Sequence, residues 1–225
     1  MNSEELETKT QAVFVAMTAL ANEYDTNRPR QPWYDHRYDW LRGPDNWTRL
    51  ERIVYGGRYV TDKSDVLDLC CGDGLVSHCI AQRARRVNGL DVDPDALIHA
   101  ELHYGALAAS LDFFYRNIIT DTFPLDSYDV VLWFDGLAYL TQADGRVVLN
   151  KVADCLPSGG VLIGSTPLAS LGSIGYPLSG DRHRIFAAEE LRRFLALCFR
   201  DIEIWESNWG NGRTQLYFIC KCKKE

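Results

Sequence analysis

Two carboxylates and two turn glycines carry the first chemical signal in this chain. The run Val66-Leu67-Asp68-Leu69-Cys70-Cys71-Gly72-Asp73-Gly74 is apolar up to Leu69 apart from Asp68, then small and acidic. A second apolar run, Arg86-Val87-Asn88-Gly89-Leu90, ends on Asp91. Each reads as a buried strand, the first followed by a tight turn and a helix. Glycine permits dihedrals and close backbone approaches that other residues resist. In open parallel sheets ligands bind outside the carboxyl ends of the strands, and an acid there accepts hydrogen bonds from ribose hydroxyls. The pattern points to a nucleoside pocket.

Further candidates stand downstream. Asp135 follows the apolar Val130–Phe134 run, beside Gly136 and four residues before Tyr139. There it could accept or orient a substrate proton, or instead cap a helix or meet a ligand ammonium. His183 sits in Asp181-Arg182-His183-Arg184, inside a glycine-bearing segment, 167–186. Imidazole titrates near neutral pH, which makes His183 the general-base candidate, with capping of a helix near Ala187 as its alternative. His36, His99 and His103 read as surface residues, and His78 as packed in the helix after the glycine turn. The seven cysteines show no metal-ligand spacing, so no metal site is expected.

The kind of nucleoside follows from the turn. A dinucleotide fingerprint has a third glycine where this chain has Ser77, and rests a pyrophosphate on the helix amino terminus. Asp73 would oppose that charge, which disfavours a nicotinamide oxidoreductase, and an acidic turn suits a ligand with a positive end.

With these residues in place, the chain resembles the class I methyltransferases that use S-adenosylmethionine. Their first motif commonly reads V-L-D-x-G-C-G-x-G, and the form here is similar to that of ubiquinone and menaquinone methyltransferases, with Cys70 at the first loop glycine. Val92-Asp93-Pro94-Asp95-Ala96-Leu97 is similar to the family's D-x-[DS]-P-x-x-[LI], with Asp93 as a helix cap. Phe123 to Phe134 resembles its L-P-[FL]-x-x-x-[FY]-D-x-V, and Leu156 to Leu162 its L-[KR]-P-G-G turn. Tyr24-Asp25 resembles a family pair whose segment folds over the cofactor. The resemblance covers residues 62–222.

It implies S-adenosyl-L-methionine as cofactor, held around Tyr24, Asp68, Cys70, Gly72 and Gly74. Asp91 and Val92 would take the ribose, and Asn117 and Ile118 the adenine, with the Asn117 carbonyl replacing the family's usual carboxylate. Trp133 and Phe134 complete that set, while Asp135, Tyr139 and His183 would face the acceptor. The activity implied is methyl transfer to a small polar molecule, most simply a hydroxyl of a sugar or natural product. An amine or activated carbon is the alternative acceptor, and a non-catalytic S-adenosylmethionine-binding module the alternative class. A sulfonium methyl is already activated, so alignment, worth about 7 to 11 kcal/mol, can outweigh a base worth about 10²- to 10⁴-fold in rate.

Composition agrees. A chain of 225 residues with 46% hydrophobic content can bury one sizeable core. A net charge of -7 argues against nucleic acid as partner. Cysteines in apolar runs suggest reduced thiols and a cytoplasmic setting, and polar Met1 to Lys9 does not read as a signal peptide. No window has eighteen apolar residues, so no membrane partner is expected.

These residues need a scaffold, and periodicity supplies one. Apolar strands alternating with amphipathic helices from residue 65 predict a Rossmann-like α/β fold with helices on both faces. The sheet should have seven mostly parallel strands, with a third strand at 111–118 and a C-terminal antiparallel hairpin over 201–207 and 214–222. Helices are expected over 4–22, 46–55 (capped by Asp45 or Asn46), 74–84, 94–109, 142–155 and 187–198. Residues 1–60 read as a helical cap and 61–225 as the core. The aromatic segment 24–47 and the 167–186 insertion should line the acceptor pocket.

Overall fold

The computed structural model describes residues 48–168, 185, 187–208 and 214–223, together with 5, 8–12, 15, 16 and 19. Seven strands form one sheet in the order β3-β2-β1-β4-β5-β7-β6. They are β1 (Asp65–Leu69), β2 (Arg86–Asp91), β3 (Leu111–Tyr115), β4 (Val130–Phe134), β5 (Val161–Pro167), β6 (Phe199–Asn208) and β7 (Thr214–Lys223). Neighbours among β1 to β5 pair in parallel, whereas β7 runs antiparallel to both β5 and β6. This is the Rossmann-like plan with an antiparallel edge that the alternation predicts.

Strands β1 and β4 are buried at every position, so both faces of the sheet must be covered. Successive side chains point to opposite faces. Val131 and Trp133 join Leu149 and Leu191 under the helices Gln142–Cys155 and Ala188–Leu195. Val130, Leu132 and Phe134 join Val76, Ile80 and Ile53 under the helices Leu75–Ala81 and Thr48–Gly57. Both clusters stop at the carboxyl edge of the parallel strands, where the polar residues collect.

Three elements differ from expectation. β3 ends at Tyr115, not Ile118, because the chain turns: Asn117 N–H donates to Asp121 Oδ2 (2.9 Å), and Ile119 N–H to Asn117 Oδ1 (2.9 Å). The 94–109 helix is α-helical only over Pro94–Ala100, with Asp93 accepting from the Asp95 and Ala96 amides as its cap. It continues as a π-helical turn, Glu101–Gly105, in which buried Tyr104 stacks on His78 at 4.8 Å. The helix after the insertion stops at Leu195, since a turn through Cys198 leads into β6.

The described positions between 5 and 19 are helical and exposed. The Asp45 and Asn46 caps, the 24–47 segment and most of 167–186 lie outside the described residues, apart from Pro167, Leu168 and Ile185. Leu168 bridges Ile185, which closes the base of that insertion. Among the described residues no helix is long and apolar enough to cross a membrane.

Candidate functional site

The turn after β1 holds three residues in the left-handed region: Cys70 (φ 59°), Gly72 (φ 56°) and Gly74 (φ 76°). For Cys70 this conformation costs about 1 to 2 kcal/mol, so neighbouring contacts must hold it. One is the Cys71 N–H, which donates to Leu90 O at 3.0 Å. Asp91 ties the turn to the end of β2. Its Oδ2 accepts from Gly72 N–H (2.8 Å), and its Oδ1 from Val92 N–H (2.7 Å) and Asp93 N–H (2.9 Å).

The two glycines serve different ends. A Cβ at Gly72 would meet no atom of the described residues within 4 Å, so its backbone borders open space among them. A Cβ at Gly74 would sit 2.4 Å from Phe113 Cζ and 2.9 Å from Ala100 Cβ. Packing against Phe113 and Ala100 therefore already requires glycine at position 74.

Asp68 and Ser77 form a buried pair beneath the turn. Ser77 Oγ donates to Asp68 Oδ2 at 2.6 Å. Burial raises the Asp68 carboxyl from 3.8 to about 7, against the opposing pull of the Ser77 bond and the Arg52 charge. Asp68 is 2% exposed, so it supports the turn from below. Ser77 is the polar residue at the missing third glycine, and Asp68 is the reason for it. Asp73 Oδ1 takes the Leu75 amide (3.3 Å), placing a carboxylate where a phosphate would need the helix terminus. Burial also pushes the Cys70 and Cys71 thiols up, away from thiolate chemistry. The described cysteines Cys70, Cys71, Cys79, Cys155, Cys198 and Cys220 are free thiols.

The second centre lies at the end of β4. Asp135 is left-handed (φ 60°) and opens a 3-10 turn, Gly136–Tyr139. Gly136 is wedged beside β1: a Cβ there would be 2.6 Å from Trp133 Nε1 and 2.7 Å from Cys70 Sγ. Asp135 Oδ2 pairs with Arg52 Nη2, and the Arg52 guanidinium also lies over the Phe134 ring at 5.8 Å. Its Oδ1 accepts from Ser165 Oγ (2.9 Å) and from Gln215 Nε2. A carboxylate bonded to a guanidinium and two neutral donors is a poor proton acceptor, so this geometry favours orienting over base catalysis.

The other expected residues scatter. Tyr139 is 52% exposed at the same edge, but Trp133 is fully buried, so its indole faces the core. Ile118 is buried too, and its carbonyl accepts from Lys151 Nζ at 2.6 Å. The Asn117 side-chain carbonyl serves its own turn. Val92 is exposed beside Asp91. Tyr24 and His183 lie outside the described residues. His99 and His103 are half-buried with rings 4.3 Å apart, which corrects their reading as surface residues. Among the described residues no group of three or more metal-ligating side chains forms.

Sequence reasoning missed Arg52, Ser165 and Gln215. Arg52 reads as an ordinary exposed helical arginine. Gln215 carries a faint signal, as a polar residue opening the otherwise apolar run Leu216-Tyr217-Phe218.

Residues 66–160 match a family model described as a methyltransferase domain. A probable S-adenosylmethionine-dependent methyltransferase of Mycolicibacterium smegmatis is 31% identical over 166 residues, covering 70% of this chain and 60% of that protein. A ubiquinone biosynthesis O-methyltransferase of Aeromonas salmonicida is 31% identical over 117 residues, 48% of each chain. The chain thus spans less than two thirds of either relative. Among solved structures, the N-methyltransferase NodS of Bradyrhizobium japonicum WM9, in complex with S-adenosylhomocysteine, superposes with a TM-score of 0.62 at 16% identity. That superposition covers 91% of this chain and 98% of NodS.

Proposed function

We propose that this chain, which belongs to the class I S-adenosylmethionine-dependent methyltransferases, moves a methyl group from S-adenosylmethionine to a hydroxyl of a small polar molecule. The observation that carries the reading is the Gly72–Asp91 pair. An open glycine backbone beside a carboxylate, at the carboxyl edge of adjacent strands, fits a nucleoside ligand. Asp73 at the helix start argues against a pyrophosphate there. When bound, S-adenosylmethionine supplies a methyl group already activated on a sulfonium.

The chain's own residues then bind and orient. A carboxylate has about four lone-pair positions. Asp91 has three backbone donors, so one position on Oδ2 remains for a ribose hydroxyl, and a second hydroxyl must share with Gly72 N–H. Val92 and the Asn117 turn flank the adenine side. Asp135 and Tyr139 face the acceptor, and His183 is assigned to it as the general base. Asp135, fixed by its pairing with Arg52, orients the acceptor hydroxyl, and His183 takes the proton it loses. Oxygen is favoured as acceptor atom by the O-methyltransferase relative. An aromatic segment and an Arg/His/Asp loop suit a sugar or decorated natural product better than a lipid.

Calorimetry with S-adenosylhomocysteine against NAD tests the donor. Binding of the former, and its loss in Gly72→Val, is the expected result, and normal binding in Gly72→Val places the ligand elsewhere. Mass spectrometry with methyl-labelled S-adenosylmethionine and a panel of sugars, phenols and amines then reads the acceptor. Labelled amines without labelled hydroxyls would replace oxygen by nitrogen.

A further inference from the structure

The amide of Gln215 has one end satisfied and one end without a partner. Gln215 opens the apolar part of β7 opposite Pro167 and is 1% exposed. Its Nε2 donates to Asp135 Oδ1, which fixes the amide orientation, because a flipped carbonyl would face a carboxylate. The other end, Oε1, is buried and has no hydrogen-bond partner among the described residues. Buried polar atoms in native proteins are nearly always paired, so an orphan at a ligand-binding edge calls for an explanation. Ser165 cannot supply the donor, since its single hydroxyl proton already points at Asp135.

Two more orphans occupy the same edge. Among the described residues Trp133 Nε1 and Thr166 Oγ1 are also buried without partners near the ends of β4 and β5 at the same rim, although strand alternation turns them to the opposite face of the sheet from Gln215. That rim lies beyond Asp135, across from the Gly72–Asp91 turn, where a second substrate would approach. The opposite ends of β4 and β5 show no such atoms among the described residues.

We propose that Gln215 is a specificity-determining residue of the methyl-acceptor site, its Oε1 accepting a hydrogen bond from an O–H or N–H on the acceptor. The inference rests on the methyltransferase reading above and adds what recognises the second substrate. Gln215 spans Asp135 and the acceptor, so the carboxylate held by Arg52 fixes the amide that reads the incoming donor.

Matched fragments test this on protein saturated with S-adenosylhomocysteine. Ligand-observed NMR would compare phenol, benzyl alcohol and cyclohexanol with anisole, benzyl methyl ether and methoxycyclohexane. The native protein should prefer each alcohol over its ether by roughly tenfold, the usual consequence of one buried acceptor gaining or lacking a donor. Gln215→Met keeps the volume and should lose the preference while retaining S-adenosylhomocysteine affinity. Should methionine not fold, Gln215→Asn withdraws the amide by one methylene and should also lose it. Equal binding of alcohols and ethers by the native protein, or a preference that survives in the variant, overturns the proposal. Failure of the native protein to bind S-adenosylhomocysteine would instead overturn the methyltransferase reading.

Discussion

Replacing Asp68 by asparagine isolates the cost of a charge buried beneath the glycine turn. The carboxyl is raised from 3.8 to about 7, chiefly by burial. The folded pKa lies above the unfolded one, so between these values the native state keeps a proton that the unfolded chain has released. Stability from this group is fully present below pH 3.8 and is lost as pH rises towards 7, with a limiting slope of about 1.4 kcal/mol per pH unit. From pH 5 to pH 7 the loss comes to about 2 kcal/mol, and above pH 7 the total approaches about 4 kcal/mol. Asparagine keeps the shape and an acceptor for Ser77 Oγ but does not ionise. Urea denaturation of both ligand-free proteins from pH 5 to pH 8 should show the variant gaining about 2 kcal/mol on the native protein by pH 7, then levelling off. The attraction to Arg52, which acts only on the ionised carboxylate, is already contained in the raised pKa of Asp68. A stability difference that stays constant with pH refutes the assignment of a buried, proton-retaining Asp68.

Other substitutions read the remaining contacts. Gly74→Ala, forced against Phe113 in a left-handed conformation, should destabilise by about 3 kcal/mol in denaturant titration, and a loss below about 1 kcal/mol contradicts the packing argument. Asp91→Ala should weaken S-adenosylhomocysteine binding ten- to roughly hundredfold by calorimetry, and unchanged affinity in a folded variant removes Asp91 from the site. Arg52→Gln leaves the Asp135 carboxylate, 16% exposed, without its guanidinium and should cost about 3 kcal/mol, much of it recovered in the double variant with Asp135→Asn. If His183 is the base, His183→Ala should lower turnover about 10²-fold with S-adenosylhomocysteine affinity unchanged, and a smaller effect leaves positioning as the mechanism.

The sheet was legible because its signal is local. Val130 to Phe134 is a continuous apolar run, and Val66 to Leu69 is one broken only by Asp68, which fits strands covered on both faces. Asp93-Pro94 likewise announces a capped helix from two residues. The pair Gly72 and Asp91 was legible for a related reason, since each stands at a fixed offset from its own strand. Contacts between distant residues left no such trace. Arg52 and Asp135 are 83 positions apart, and Gln215 and Asp135 are 80 apart. No periodicity marks which exposed-looking arginine turns inward. The burial of Trp133 and Ile118 does not show in the sequence, because strand alternation gives a face but not a depth. At Gly74 a missing side chain looks the same in sequence whether a ligand or Phe113 demands the space.

Three carboxylates at the carboxyl edge of neighbouring strands are held by three different means, and the differences fit a cationic ligand. Asp68, in β1, is buried, bonded to Ser77 and about half protonated near pH 7. Asp91, after β2, is held by three backbone N–H groups, donors without net charge, so its negative charge stays uncancelled. Asp135, after β4, is paired with Arg52 and adds little net field. The field of the edge therefore concentrates at Asp91, beside the open Gly72 backbone, while Asp73 adds negative charge at the helix start. A pyrophosphate would meet repulsion from both carboxylates and find the Leu75 amide already taken. A neutral ribose with a sulfonium beyond it meets hydrogen-bond acceptors first and a favourable potential second. Charge thus selects the donor at one end of the edge, and the neutralised Asp135 with Gln215 leaves the other end to hydrogen bonding.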